Sequence, residues 1–427
     1  MLTEVARRMG WGAAFGYCGP ADIFREHAAL SGFENKGRTQ RLFDISALAT
    51  LSDGEYDQLE PVRWPLPPGA ERSAGTPRLF GDDGRFPTAD GRARFVPTRY
   101  RAVAEPTDEL WPLVLNTGRF RDQWHTMTRT GRVPRLMAHA GEPLLDIHPV
   151  DAERLRLAEG GPARIESRHG VTVLPVRCSA DQRRGEVFAP IHWTDRFTSA
   201  GPIGRLVGAA ADPISGQPEL KATPVRVEAV AASWHGLLLR RAELPRPPQG
   251  PYHWTRLPLP TGHAFSLAGW RPLPSGRESE AWIAGLLGAR NDAELVVYAD
   301  PGRGAFRYAS VAGGRLDACL FLAGDMASLP PRDAFAALIG TEIAAEDRIC
   351  VLAGSLRQGA VVQDPGGTVC ACFPVGVRAL HCAIVERRLT SIAEIGAALR
   401  AGTNCGSCIP EIAAILRHAR VTTGSVA

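Results

Sequence analysis

The sequence predicts a mixed fold: a β-rich barrel or sandwich in the middle of the chain, a small αβ region after it, and a small helical module at the end. Three observations predict it. Between residues 109 and 230, short strand-like runs (WPLVLNTG, ARIES, TVLPVRC, GEVFAPIHW, TPVRVEAV) recur with little helical periodicity between them. From 231 to 365, helical and strand patterns alternate behind a proline-rich opening. Finally, five of the nine cysteines fall in the last 58 residues, among short amphipathic helical patterns.

Taken in order, residues 1–108 begin with a short helical pattern through Val5, Met9 and Phe15, then turn rich in Pro, Gly and Arg (PVRWPLPPGAE, FGDDGRFPTADGRARF). Such a stretch is expected to bury no core of its own, its aromatics lying against a neighbouring domain. In 109–230, WPLVLNTG is a strand that stops at Thr117-Gly118, and Asp151 is expected to cap a short helix, DAERLRL. ARIES and TVLPVRC read as a hairpin around RHG. In 231–365, LPRPPQGPYHWTRLPLPTG reads as a linker, too proline-rich for a helix or a central strand. SEAWIAGLLGA then reads as a helix, ELVVYAD as a strand, GAFRYASV and LDACLFLAG as a hairpin with glycines at its turn, and DAFAALIG as a helix. In the tail, 366–420, SIAE at Ser391–Glu394 is a capping box, Ile392, Ile395 and Leu399 share one helical face, and Pro410 opens a last helix carrying Ile412, Ile415 and Leu416.

The composition is that of an ordinary globular chain: 427 residues, 44% hydrophobic and 22% charged, a length that suits two to four domains. The formal charge of +4 gives nucleic-acid binding no support. There is no apolar run long enough for a transmembrane helix, and MLTEVARRMGWGAAFGY has no uninterrupted apolar core, so neither a membrane nor a secretory signal is expected. Of 49 basic residues only Lys36 and Lys221 are lysine, a bias that a GC-rich genome explains.

Cys370-Ala-Cys372 and Cys405-Gly-Ser-Cys408 form a C-x-C pair and, 32 residues later, a C-x-x-C pair. Two such pairs suit an iron–sulfur cluster or a tetrahedral zinc, with packed structural thiols as the plain alternative. One spacer residue strains two thiolates onto a single ion, whereas a [2Fe–2S] cluster divides its ligands between two irons, so the spacing favours the cluster. Each pair also precedes a helical pattern, whose N-terminal dipole favours anionic sulfur. Cys382 reads as a packed thiol, and Cys18, Cys178, Cys319 and Cys350 stand alone.

A second polar segment runs Thr117, Gly118, Arg119, Phe120, Arg121, Asp122, Gln123, Trp124, His125, Thr126, and continues as MTRTGRVPRL. It leaves a strand through a glycine and offers groups suited to phosphates, ribose hydroxyls and a purine ring. A plain surface loop is the alternative. His192 and Trp193 read as barrel packing.

With NCGSCIPEI after its second pair, the tail resembles the bacterioferritin-associated-ferredoxin-like [2Fe–2S] domain over about 55 residues. NTGRFRDQWHTMTR, DIHPVDAERL, GEVFAPIHW and DPISGQPELK, in that order, resemble the molybdopterin-guanine-dinucleotide-binding domain of molybdenum oxidoreductases, a double-psi β-barrel. FGYCGPADIFREHAALSGFENKG, RLFDIS and RFPTADGRARF are similar to bacterial assimilatory nitrate reductases, whose members also carry such a [2Fe–2S] domain. The hairpin region of 231–365 is only loosely similar to the small C-terminal domain of pyridine-nucleotide-dependent reductases.

The resemblance implies the following. Residues 1–108 are a remnant of the preceding oxidoreductase domain, 109–230 the dinucleotide-binding barrel, 231–365 a linker and small αβ region, and 366–420 the [2Fe–2S] domain. Thr117 through Thr126 and Lys221 hold one pterin-guanine dinucleotide of a molybdenum bis(molybdopterin guanine dinucleotide) cofactor. Cys370, Cys372, Cys405 and Cys408 hold the [2Fe–2S] cluster. Gly204 stands in the loop where family members often have an asparagine, shortly before Lys221, a departure that leaves that one contact open. The family's N-terminal [4Fe–4S] motif and substrate-funnel domains are not in this sequence, so the chain is expected to be the C-terminal portion of an assimilatory, cytoplasmic nitrate reductase, inactive alone. Its implied partners are nitrate, a flavoprotein or ferredoxin donor, and a catalytic subunit if the missing half is a separate chain. A separately encoded, non-catalytic electron-transfer subunit, or part of another molybdenum enzyme such as formate dehydrogenase, are the alternatives.

Overall fold

The computed structural model of the chain describes all residues except 37–40, 71–83, 87, 274–275, 289–291, 354–365 and 425–427. Parts of the two Pro/Gly-rich stretches of the N-terminal region therefore lie outside the described residues. The chain divides into two units, Met1–Arg101 and Ala102–Ala427.

The first unit holds α1 (Leu2–Arg8), α2 (Pro20–Gly32) and α3 (Asp53–Asp57). It does have a small core, contrary to expectation: Ala28 of α2 packs with Ile45, Leu48, Leu51 and Leu66. The helix α2 carries a start signal that a reading for apolar periodicity passes over. Pro20 stands in its first turn, and the Asp22 carboxylate accepts the Cys18 and Gly19 N–H groups at 2.7 and 3.2 Å.

The second unit begins with a closed barrel of β1 (Leu113–Gly118), β2 (Leu145–Ile147), β3 (Pro162–Glu166), β4 (Val171–Cys178), β5 (Glu186–Pro190) and β6 (Thr223–Ala229). The strand order is β1-β5-β2-β4-β3-β6. The pairs β1–β5 and β2–β4 are parallel and the other four antiparallel, so β1 lies between two strands made much later in the chain. Burial alternates along β1, and Leu113 and Leu115 meet Leu145, Ile147, Ile165, Val187 and Val225 in the barrel core. Two short helices, α4 (Pro134–Met137) and α5 (Pro149–Arg154), lie between its first strands. Asp151 does not cap α5. Pro149 is pre-set for the first helical turn, so the helix starts earlier and the His148 ring caps it by accepting the Val150 N–H at 3.2 Å. Buried Asp151 instead accepts the Gly185 N–H at 2.7 Å, fixing the approach to β5.

A six-stranded antiparallel sheet follows: β7 (Trp234–Arg240), β8 (Tyr252–Leu259), β9 (Gly262–Gly269), β10 (Glu294–Asp300), β11 (Ala305–Ala312) and β12 (Arg315–Ala323), in the order β10-β11-β12-β7-β9-β8. One face packs on α6 (Gly276–Leu287) through Leu238, Phe265, Leu320 and Leu286. The other packs on α7 (Arg332–Ala336) and α8 (Arg348–Ala353) through Leu239, Phe321, Phe335 and Val351. With both faces covered, β7 is an almost continuous buried run rather than an alternating one. Much of the expected linker is strand β8. It lies on the sheet edge, where Pro258 breaks no second ladder. The expected hairpin is β11–β12, turning on Gly313 and Gly314, both at positive φ.

Barrel and sheet meet in a buried polar seam. Thr198 bridges Thr255, and His253 lies 3.1 Å from both the Ser199 and Thr255 hydroxyls. Burial pushes the His253 pKa down to about 4, so the ring is held neutral.

The tail is a short hairpin, β13 (Thr368–Cys370) with β14 (Val375–Gly376), followed by α9 (Val377–Glu386), α10 (Ile392–Leu399) and α11 (Ile409–Gly424). The Ser391 hydroxyl caps α10 by accepting the Glu394 N–H at 3.2 Å. Leu380, Ile384, Ile395, Ile412 and Leu416 form its core together with Cys370 and Cys408. Among the described residues no helix is long and apolar enough to cross a membrane.

Candidate functional site

Strands β1 and β5 run parallel, so the chain leaves both at the same end of the barrel. Gly118 is required there: a Cβ on it would lie 2.6 Å from the Phe188 ring of β5. The loop after β1 is then fastened from below. His192, fully buried just beyond β5, accepts the Phe120 N–H on Nε2 at 2.8 Å, and its Nδ1 lies 2.7 Å from the His125 carbonyl. Burial, with help from the nearby Arg119 charge, lowers its pKa. The ring is therefore neutral, its proton on Nδ1 toward that carbonyl. Gln123 is buried and donates to the Leu136 carbonyl at 3.0 Å. The Thr117 hydroxyl donates to the Leu220 carbonyl at 2.7 Å, and the Lys221 ammonium donates to the Thr117 carbonyl. These bonds leave Arg119, Trp124, His125 and Thr126 exposed on one face, Arg119 lying 5.8 Å over the Trp124 ring. His125 and Met127 both sit at positive φ, and beneath them Gln123 Oε1 and Trp193 Nε1 are buried without a partner among the described residues.

Arg121 and Asp122 turn the other way. The Arg121 guanidinium donates to the Val369 carbonyl at 2.5 Å and pairs with Glu411 at 2.7 Å; Asp122 pairs with His139 at 2.9 Å. The Asp122 carboxyl is buried enough to resist ionising, yet His139 and Arg121 hold it below the usual range.

The four cysteines of the tail meet as two facing pairs. Cys372 Sγ lies 3.4 Å from Cys405 Sγ, and Cys370 is the hydrogen-bonding neighbour of Cys408. Cys370 and Cys408 are buried, Cys372 is half-buried and Cys405 exposed. Burial and the Cys370 thiol push Cys408 up to about 11, whereas the Ser407 hydroxyl and amide pull Cys405 below the ordinary thiol value. Cys408 immediately precedes α11, and the N-terminal dipole of a helix favours anionic sulfur. Among the described residues no three His, Cys, Asp or Glu side chains converge on a point that holds one ion. An all-thiol donor set arranged as two pairs fits a cluster that shares its ligands between two metals. Cys382 lies exposed on α9, not packed as expected; Cys18 and Cys178 join no group, and Cys319 is a buried core thiol of β12.

The residues that sequence reasoning missed are His192 as a fastener, His139 and Glu411. The signal for His192 is the parallel pairing of β1 with β5, which puts IHW beside the loop. Nothing local signals His139 or Glu411, whose partners are far away in the chain.

Comparison with known proteins agrees with this geometry. Residues 113–224 match the family described as "Molydopterin dinucleotide binding domain", and residues 368–418 the BFD-like [2Fe-2S] binding domain. A nitrate reductase of Klebsiella oxytoca is 39% identical over 97% of this chain and 45% of its own length. A nitrate reductase of Shewanella frigidimarina is 32% identical over 56% of the chain and 27% of its own length. An F420-dependent formate dehydrogenase subunit alpha of Methanocaldococcus jannaschii is 32% identical over 54% of the chain and 31% of its own length. The chain thus spans less than half the length of these relatives. Its barrel matches a molybdopterin dinucleotide-binding domain and its tail a BFD-like [2Fe–2S] domain, and 97% of the chain is similar to part of a nitrate reductase.

Proposed function

We propose that these residues form the cofactor-binding and electron-entry portion of an assimilatory, cytoplasmic nitrate reductase, which converts nitrate, two electrons and two protons to nitrite and water. The observation that carries this reading is the pairing of the two domains on one chain that aligns along 97% of its length with a nitrate reductase. The exposed face of the loop at Arg119, Trp124, His125 and Thr126 is the seat for one pterin-guanine dinucleotide, with guanidinium, indole and hydroxyl groups matched to phosphate, purine and ribose. His192, Gln123, Thr117 and Lys221 orient that face by holding the loop's backbone. Cys370, Cys372, Cys405 and Cys408 hold the [2Fe–2S] cluster, the buried pair keeping water from one side. When bound, the cluster supplies one-electron transfer and the molybdenum cofactor the oxygen-atom chemistry.

The protein takes its electrons from a reduced flavoprotein or ferredoxin. Two irons and two acid-labile sulfides per chain, with a visible spectrum that bleaches with dithionite, are expected; one zinc and no sulfide would defeat the electron-entry role. The isolated chain is expected to form no nitrite from nitrate with reduced viologen. The formate dehydrogenase likeness favours a second reading, in which the same seats serve formate oxidation. Formate-dependent reduction by the chain joined to its complement, without nitrate turnover, would establish it.

A further inference from the structure

Arginine offers five N–H donors in a rigid fork. Arg121 turns that fork onto its own chain. Its side chain is 21% exposed, and its donors go to Asp122 at 3.3 Å, Glu411 at 2.7 Å and the Val369 carbonyl at 2.5 Å. Val369 directly precedes Cys370, and Glu411 stands three residues after Cys408, in the first turn of α11. One guanidinium from the dinucleotide loop therefore grips both of the segments that carry the cysteine pairs. Its neighbours add to the same contact. His139 lies 2.9 Å from Asp122 and 3.7 Å from Glu411, and Arg135 donates to the Cys372 carbonyl at 3.3 Å. Without Arg121, the Asp122 and Glu411 carboxylates would be left to share His139 alone, in a half-buried place where like charges repel strongly.

We propose that Arg121 is the clasp that seats the cysteine module on the dinucleotide loop, a positioning residue rather than a phosphate contact. The loop then has two faces with separate tasks. Arg119, Trp124, His125 and Thr126 face outward to ligand, while Arg121 and Asp122 face the cysteines. The proposal rests on the reading that the four cysteines hold a cluster, and it gives that cluster a fixed place beside the loop with a guanidinium charge against it.

The test uses the full chain with its cluster, as wild type, Arg121→Ala, Arg121→Lys and Glu411→Gln. In Arg121→Ala, amide exchange over residues 369–376 and 405–412 is expected to quicken at least tenfold at unchanged iron content. The cluster's reduction potential should shift negative, because a positive charge has left its surroundings. Arg121→Lys keeps the charge but loses the fork, so exchange should quicken while the potential stays near wild type. Glu411→Gln, off the loop, should loosen residues 405–412 by a smaller factor. The proposal is overturned if exchange and potential are unchanged while guanine nucleotide, released by acid from the chain loaded with the pterin dinucleotide, falls tenfold in Arg121→Ala. Wild-type chain without iron would defeat the cluster reading instead; the exchange comparison on that metal-free chain still decides whether the clasp exists.

Discussion

The two seats are built in opposite ways. The dinucleotide loop is held by side chains of its own barrel: His192 grips it at Phe120 and His125, Gln123 anchors it to Leu136, and Thr117 and Lys221 tie its base. None of these bonds waits for a ligand. The cysteine seat is divided: Cys370 and Cys408 are buried, Cys372 is half-buried and Cys405 exposed, with burial favouring the neutral thiol at Cys408 and Ser407 the thiolate at Cys405. On the proposed reading, such a set is completed when a cluster takes all four sulfurs. Rigid scaffold serves the ligand that must be positioned, and metal closes the seat that must carry charge.

The strongest attack on that contrast is Cys408→Ser, which removes one ligand and leaves a hydroxyl in the apolar core around Leu416. Iron and sulfide should fall to background, and amide exchange should quicken more than tenfold across α9–α11 but less than twofold over residues 113–229. Equal loosening of both would show that the barrel is not self-sufficient.

Next comes the seam between barrel and sheet, which should respond to acid. Unfolded histidine titrates near 6.5 and His253 near 4 in the folded chain. Above pH 6.5 the ring is neutral in both states and its stabilising bonds are fully present. As pH falls from 6.5 to 4 the unfolded chain takes up a proton that the folded chain refuses, so stability drops, by about 3 kcal/mol in all, and levels off below. His263, also lowered to about 4, adds a similar slope. Melting temperature against pH should therefore flatten in His253→Gln; an unchanged slope would remove His253 from the account.

His192→Ala should cost the barrel about 2 kcal/mol, since a buried N–H and a carbonyl lose their partner. Denaturant unfolding followed at the barrel measures this, and nucleotide retention should fall about tenfold. Retention at the wild-type level would mean that the loop needs no fastening. The smallest effect expected is for Lys221→Ala, about 1 kcal/mol, because its charged head is largely in water and gives up one bond to the Thr117 carbonyl.

Strands with alternating or continuous apolar runs were legible, as were the β11–β12 glycine turn and the cap at Ser391, because each is decided within a few residues. The sequence of β8 reads as linker because prolines argue against a central strand, and nothing local says that a strand will end at an edge. Asp151 reads as a cap because its residue type suits one, whereas Pro149 moves the helix start. The cysteine spacing carries its own chemistry. Arg121 does not: its residue type fits a phosphate, and only the placement of Glu411, far along the chain, shows where its fork goes.

The place of β1 in the barrel has a consequence for synthesis. Leu113 pairs with Val225, and Val114 with Glu186, so both edges of this strand stay open until the ribosome has made most of the barrel. Neighbouring hairpins such as β3–β4 can zip as they emerge, but β1 must wait, an apolar ribbon without a partner. The residues that precede the dinucleotide loop are thus the last of the barrel to be secured, and a nascent chain halted before Thr223 would offer them to any other open strand nearby.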